Sequence, residues 1–198
     1  VGFATPSAPV FVALADLNGD GALDLVAANG NINTASVFMG HGDGTFGAAT
    51  NYVTGSDPTS IVIADLNGDS HLDLVVENGI PSTVSILLGH GDGTFGAKTD
   101  FATGFHPNSV AIADLNGDGR LDLAVANNSA NTVSVLLGHG DGSFGSKTDY
   151  GASGGPYSVA IADLNGGGRL DLAVATNNST SVPVLPGHGG GPFGASPD

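Results

Sequence analysis

The sequence predicts an all-β fold, a β-propeller built from four-stranded antiparallel blades, and three observations carry that prediction. The string Ala-Asp-Leu-Asn-Gly-Asp stands at 15–20, 64–69 and 113–118, and a fourth copy at 162–167 ends in Gly, so Asp16, Asp65, Asp114 and Asp163 recur every 49 residues. A fixed period of that length marks one supersecondary unit repeated and stacked. Each period also holds four short apolar runs separated by turn residues, and no stretch keeps a helical period. Four strands per unit, joined as a meander, make a propeller blade.

The units are 1–49, 50–98, 99–147 and 148–196, within one repeat domain spanning 1–198. The first run is Val12–Leu14, Ile61–Ile63, Val110–Ile112 and Val159–Ile161, opened each time by Pro9, Pro58, Pro107 or Pro156. Its central column, Ala13, Val62, Ala111 and Ala160, is small, which suits a crowded strand covered on both faces. The second run is Leu23–Ala27, Leu72–Val76, Leu121–Val125 and Leu170–Val174. The third is Ser36–Met39, Val84–Leu88, Val133–Leu137 and Val182–Leu185. In the last of these, Pro183 and Pro186 each remove a ladder donor, so that strand should be irregular or at an edge. The fourth run is shorter and more polar, with an aromatic column Phe3, Tyr52, Phe101 and Tyr150. Val1–Thr5 aligns with it, so this N-terminal strand is expected to complete the last blade, either closing the ring in cis or serving a second chain.

Charge is concentrated rather than spread. The net charge is −15, 18 of the 19 acidic residues are Asp, and 11 of those lie in the four repeated loops. Asp43, Asp92 and Asp141 lie in a second repeated turn. Carboxylates clustered without basic partners repel one another and call for cations or water. Lys98, Arg120, Lys147 and Arg169 are the only bases, which argues against nucleic-acid or anionic-membrane partners. The 33 glycines recur with the period, so they mark turns rather than disorder, and the absence of Cys excludes disulfides and thiolate metal sites. No run reaches the ~18 apolar residues of a membrane helix. No signal peptide is visible at Val1, which leaves a mature chain, an excerpt or a cytosolic protein.

The first loop reads Asp16-Leu17-Asn18-Gly19-Asp20-Gly21-Ala22-Leu23-Asp24. Side-chain oxygens fall at positions 1, 3, 5 and 9 (Asp16, Asn18, Asp20, Asp24), and Ala22 at position 7 offers a backbone carbonyl. Hard oxygen ligands in that number, with Gly permitting a tight wrap, suit Ca²⁺ better than Mg²⁺ or the softer metals. The second copy has Asp65, Asn67, Asp69 and Asp73 with the carbonyl of His71, and Ser70 where Gly stood. The third is complete at Asp114, Asn116, Asp118 and Asp122 with the carbonyl of Arg120. The fourth keeps Asp163, Asn165 and Asp171 but has Gly167 at position 5. Three calcium sites are therefore expected, with a fourth weak or empty. An EF-hand is excluded, because its bidentate acid at position 12 would be Ala27, Val76, Val125 or Val174.

These loops, with Gly-His-Gly-Asp-Gly-Thr-Phe-Gly at 40–47 and 89–96, its Ser143 form at 138–145 and a decayed copy at 187–194, make the chain resemble the FG-GAP (VCBS-type) repeat family, which includes the integrin α-subunit β-propeller. The resemblance covers all four units. It implies calcium in the loop joining the first two strands of each blade, and an extracellular adhesion, lectin-like or scaffold role. The family usually closes with seven blades. Four units leave the ring open to closure alone, to two chains making eight, or to an excerpt of a longer chain.

His41, His90, His139 and His188 recur in the Gly-rich turn and read as exposed turn residues rather than a metal ring. Phe46, Phe95, Phe144 and Phe193 read as core between blades rather than a sugar-stacking site. The face opposite the calcium loops carries the segments that differ between units, such as Ser56-Asp57, Phe105-His106 and Gly154-Gly155, and recognition of a glycan or protein ligand is expected there. Sequons begin at Asn127, Asn177 and Asn178. Glu77 is the sole Glu and is unmatched in the other units, yet no nucleophile–base pair stands apart from the repeat. The sequence thus predicts a secreted or cell-surface, non-catalytic binding module with structural calcium. The alternative is a self-assembling protein that forms an oligomer or polymer through the N-terminal strand; a polysaccharide-active enzyme ranks below both.

Overall fold

Each apolar run becomes a strand because it is short, rich in Val, Ile, Leu and Ala, and stopped at both ends by Gly, Asn, Asp or Pro. In the computed structural model, which describes residues 2–189, 193 and 194, the described residues form strands and turns without a helix. The first sheet holds β1 (Pro9–Ala15), β2 (Asp24–Asn29), β3 (Thr34–Phe38) and β4 (Thr50–Val53). The second holds β5 (Ser56–Ala64), β6 (Asp73–Ile80), β7 (Thr83–Leu87) and β8 (Thr99–Ala102). The third holds β9 (Pro107–Ala113), β10 (Asp122–Asn127), β11 (Thr132–Leu136) and β12 (Thr148–Gly151). The fourth has only β13 (Pro156–Ala162), β14 (Asp171–Thr176) and β15 (Val184–Leu185) among the described residues. Strands lie in chain order in every sheet, and the paired strands are antiparallel.

The fourth strand of a sheet comes from the start of the next period: β4 at 50–53 pairs with β3. The shortening at Pro183 and Pro186 is seen, since β15 keeps two residues where β3, β7 and β11 have five. The expected N-terminal strand is not. Residues 2–5 lie in no strand, and Val1 lies outside the described residues. The ring of Phe3 instead meets the ring of Phe46 edge-on at 5.1 Å, a side-chain contact that leaves the backbone unpaired.

The chain divides into two compact units at the end of β8, between Phe101 and Ala102. In the first, Val26, Ala28, Ala35 and Val37 of the first sheet pack with Ile61, Leu74, Val76 and Leu87 of the second. In the second unit, Ala124, Ala126, Val133 and Val135 pack with Val159, Leu172, Val174 and Leu185. β6 and β10 are buried on both faces, which is why they read as continuous apolar runs without alternation. Burial of this area is the main favourable contribution to folding, at about 25 cal/mol per Å² of apolar surface.

A polar ladder crosses each of the first three sheets. Asn29 Nδ2 donates to Ser36 Oγ at 2.7 Å, and Ser36 Oγ donates to Asn51 Oδ1 at 2.6 Å. Asn78, Ser85 and Asp100 repeat it, as do Asn127, Ser134 and Asp149. Ser36, Ser85 and Ser134 are buried, so the ladder fixes register between strands two, three and four. In the fourth sheet the matching positions are Thr176 and Pro183, and that sheet lacks the first two members of the ladder.

Candidate metal centre

The strand-to-strand loop winds around its first carboxylate. Asp16 Oδ1 accepts from the backbone N–H of Gly19 at 2.8 Å and of Asp20 at 3.2 Å, while Oδ2 accepts from Gly21 at 2.8 Å. Asn18 Oδ1 accepts from Asp20 N at 3.0 Å, and Asn18 Nδ2 donates to Asp20 Oδ2 at 2.9 Å. Asp20 Oδ1 takes the N–H of Ala22 at 2.8 Å. Positions 1, 3 and 5 are thereby gathered in one turn, and the N–H of position 7 faces position 5.

Asp65, Asn67, Asp69 and His71 repeat this pattern, with Ser70 N donating to Asp65 Oδ2 at 2.9 Å. Ser70 does so at φ +69°, in the left-handed region that the other loops fill with Gly. Asp114, Asn116, Asp118 and Arg120 form the third copy. The side chains at position 7 lie toward position 5: His71 Nδ1 is 3.6 Å from Asp69 and Arg120 is 3.9 Å from Asp118. In the fourth copy Asp163 still gathers Gly167 and Gly168, but Asn165 Nδ2, with no Asp at position 5, turns to Asp171 at 3.1 Å.

Position 9 does something the spacing alone did not reveal. Asp24 is buried, and its two oxygens accept from Leu17 N at 2.8 Å and Gly40 N at 2.7 Å. It therefore staples the loop to the end of β3. Asp73, Asp122 and Asp171 do the same with Gly89, Gly138 and Gly187. Glycine is required at the stapled position, because a Cβ on Gly40 would stand 2.1 Å from the carbonyl oxygen of Leu23. The recurrence of that Gly, 16 residues after each position-9 Asp, was the signal that could have found the staple.

Among the described residues, no group of three or more His, Asp or Glu side chains is placed to hold a metal ion. The donor set of Asp, Asn and a backbone carbonyl is nonetheless all hard oxygen, and its electrostatics favour a cation. Burial raises the Asp73 carboxyl above its ordinary range, and the like charges of Asp69 and Asp65 raise it further, against the N–H groups of Gly89 and Leu66. Asp122 is raised the same way, by burial and then by Asp118 and Asp114. The exposed Asp20 and Asp69 are held low instead, chiefly by the N–H groups of Ala22 and His71. That donor chemistry is of the kind Ca²⁺ takes, and a cation in the loop would offset the like charge that raises Asp73 and Asp122.

The Gly-rich turn lies beside the loop, and a cleft of about 440 Å³ between them is lined by Asp20, Ala22 and His41. His41, His90, His139 and His188 of these turns are exposed; the first turn is closed by His41 N donating to Thr45 O at 3.0 Å and by Thr45 donating to Asp43. Gly190 and Pro192 of the last turn lie outside the described residues. Phe95, Phe144 and Phe193 are core, as expected, while Phe46 is half-buried. Phe105 is 73% exposed. The sequon at Asn127 is corrected by the fold: this Asn is buried in the polar ladder, whereas Asn177 and Asn178 are exposed. Glu77 is also buried, and neither carboxylate oxygen has a hydrogen-bond partner; burial pushes its pKa to about 8.

The family model described as FG-GAP-like repeat matches residues 16–76, 78–125 and 114–174. No curated protein matches the chain significantly. Among solved structures, a lectin from Agrocybe aegerita, described in recognition of non-reducing terminal N-acetylglucosamine, is similar with a TM-score of 0.61 at 24% identity, over 94% of this chain and 51% of the lectin. BBS1N, solved in complex with ARL6DN, gives a TM-score of 0.61 at 16% identity over 98% of this chain and 58% of that one. A protein of unknown function from Bacteroides caccae gives 0.53 at 15% identity, over 96% and 60%. The chain thus spans between half and three-fifths of the structures it matches. Likeness at these identities concerns the fold.

Proposed function

The chain belongs to the FG-GAP-like repeat family, and from that membership we propose that it is a non-catalytic binding module of β-propeller type, extracellular, with Ca²⁺ as a structural element. The observation that supports the calcium reading is the like charge of Asp69 and Asp65 on Asp73 in one loop, which raises a carboxyl already raised by burial. Asp16, Asn18, Asp20, Asp24 and the carbonyl of Ala22 would hold the ion in the first loop. The second and third loops would use the same positions, and the fourth would bind weakly without an Asp at 167. The ion would neutralise the carboxylates and convert its binding energy into folding energy. Extracellular modules that meet calcium at about millimolar concentration need only sites of that affinity.

The ligand surface in this reading is the end of the sheets opposite the Asp loops, where Phe105 projects and the units differ. The sugar recognised by the structurally similar lectin makes glycans the first class to screen, with protein ligands second. Thermal unfolding with and without EDTA tests the calcium reading: chelation should lower Tm by several degrees, and an unchanged Tm rejects it. A glycan array repeated with Phe105→Ala tests the surface; binding that survives the substitution unchanged moves the ligand elsewhere.

A further inference from the structure

The first three Asp loops share the same residues at positions 1 to 5, Asp-Leu-Asn-Gly-Asp, but not at position 7. That position is Ala22, His71 and Arg120 in turn, and Arg169 in the fourth loop. The placement of charge there is selective. Of the four bases in the chain, Lys98 and Lys147 pair with Asp100 and Asp149. The other two, Arg120 and Arg169, both stand at position 7 of an Asp loop.

The position-7 side chain is held against the neighbouring turn by the glycine that follows its His. A Cβ on Gly91 would stand 2.3 Å from Cδ2 of His71, so the imidazole occupies the space that glycine leaves. The Cγ and Cδ atoms of Arg120 lie 3.3 and 3.2 Å from the same point on Gly140, and Nε of Arg169 lies 3.2 Å from it on Gly189. With its stem resting there, Arg120 turns its guanidinium back over the loop, and Nη1 reaches 3.9 Å from Asp118 Oδ2. In the first loop Ala22 brings only its Cβ, 3.7 Å from the corresponding point on Gly42, and no charge.

The first and third loops therefore offer identical oxygens in unlike fields. Asp16, Asp20 and Asp24 have no base among the loop residues, whereas Asp114, Asp118 and Asp122 share Arg120. A guanidinium keeps its charge throughout the range in which proteins fold. It supplies part of the neutralisation that a bound ion would otherwise provide, and it repels the ion that comes to provide it. Affinity in loops of this kind follows the charge of the ligand set. The Arg120 side chain is half exposed, so water and salt keep the effect to a few-fold.

We propose that Arg120 is a built-in counter-ion that lowers the affinity of the third loop for Ca²⁺, so that the first loop fills before the third although their donors match. Arg169 does the same beside the two remaining carboxylates of the fourth loop, Asp163 and Asp171. This inference rests on the calcium reading and adds to it a graded order of sites set by position 7.

Titration of the isotope-labelled chain with calcium chloride, followed by heteronuclear NMR at the amides of Asp20 and Asp118, reads the two loops separately. Those N–H groups donate to Asp16 and Asp114 at 3.2 and 3.0 Å. The third loop is expected to reach half-saturation at roughly fivefold higher calcium than the first at low salt, and the gap should close as salt is added. Arg120→Gln keeps a stem over Gly140 without the charge and should bring the third loop to the level of the first. Ala22→Arg should raise the half-saturation of the first loop by the same factor. Loops that saturate together, or an order that Arg120→Gln leaves in place, overturn this inference while the calcium reading stands. Amides that calcium does not move overturn both.

Discussion

Asp73 and Glu77 lie on the same strand, β6, and neither has exposed surface, yet the fold accommodates them in opposite ways. Asp73 accepts backbone N–H bonds from Leu66 at 2.9 Å and Gly89 at 2.8 Å. Glu77 accepts none through its carboxylate. Asp73 has counterparts in every unit at Asp24, Asp122 and Asp171; Glu77 has Ala28, Ala126 and Ala175. A buried carboxylate supplied with donors is part of the frame. One without donors survives by keeping its proton, because burial penalises only the charged form.

The largest test of that contrast is pH. In the unfolded chain Glu77 ionises near its model value of 4.5, whereas in the fold its pKa is about 8. Between those values the unfolded state has lost the proton that the folded state retains. The contribution of Glu77 is therefore fully present below pH 4.5 and lost progressively as pH rises to about 8. Glu77→Gln removes this dependence, so its stability relative to wild type should climb by about 5 kcal/mol across the window. Urea unfolding at a series of pH values measures it, and a gap that does not vary with pH breaks the comparison.

Removing the engaged carboxylate should act in the other direction. Asp73→Ala strands two buried N–H groups, at a cost of about 3 kcal/mol, read from the urea midpoint at pH 6; a change under about 0.5 kcal/mol would make Asp73 no more structural than an ordinary surface residue. Smaller in energy is a gain of function in the decayed loop. Gly167→Asp restores position 5, and isothermal titration should find one more calcium equivalent than in wild type; an unchanged stoichiometry means the fourth loop fails for another reason. The smallest effect is expected at Ser70, whose φ of +69° costs about 1 kcal/mol that Ser70→Gly recovers. No gain would mean that the Asp65 bond already offsets the strain.

The strands and the loop were legible because both are written in local chemistry. Pro9, Pro107 and Pro156 mark strand starts, Pro58 lies two residues inside β5, and Pro183 and Pro186 correctly announce the curtailed β15. The loop positions follow from the Asp and Asn spacing. What the sequence hid depends on partners distant in the chain. The staple from Asp24 to Gly40 and the ladder from Asn29 through Ser36 to Asn51 join different strands, so the spacing that assigned Asp24 to the cation loop did not show its second partner. Their recurrence was visible, but spacing alone does not say which side chains meet. The N-terminal strand failed for a related reason: alignment places Phe3 correctly against Phe46, but a strand exists only where another backbone accepts its hydrogen bonds.

That each of the first three sheets borrows β4, β8 or β12 from the following period has a practical meaning for anyone cutting or recombining this gene. A fragment ended at the sequence seam, residue 98, would amputate β8 and leave Ser85 without Asp100; one ended after Ala102 keeps the sheet whole. Crossing two related genes at the seam would instead yield hybrid sheets whose outermost strand comes from the other parent. Such hybrids must match the hydroxyl-to-Asx bond seen at Ser36–Asn51 and Ser85–Asp100, together with the backbone pairing of the third and fourth strands. The borrowed strand is thus the joint at which the two parents must agree.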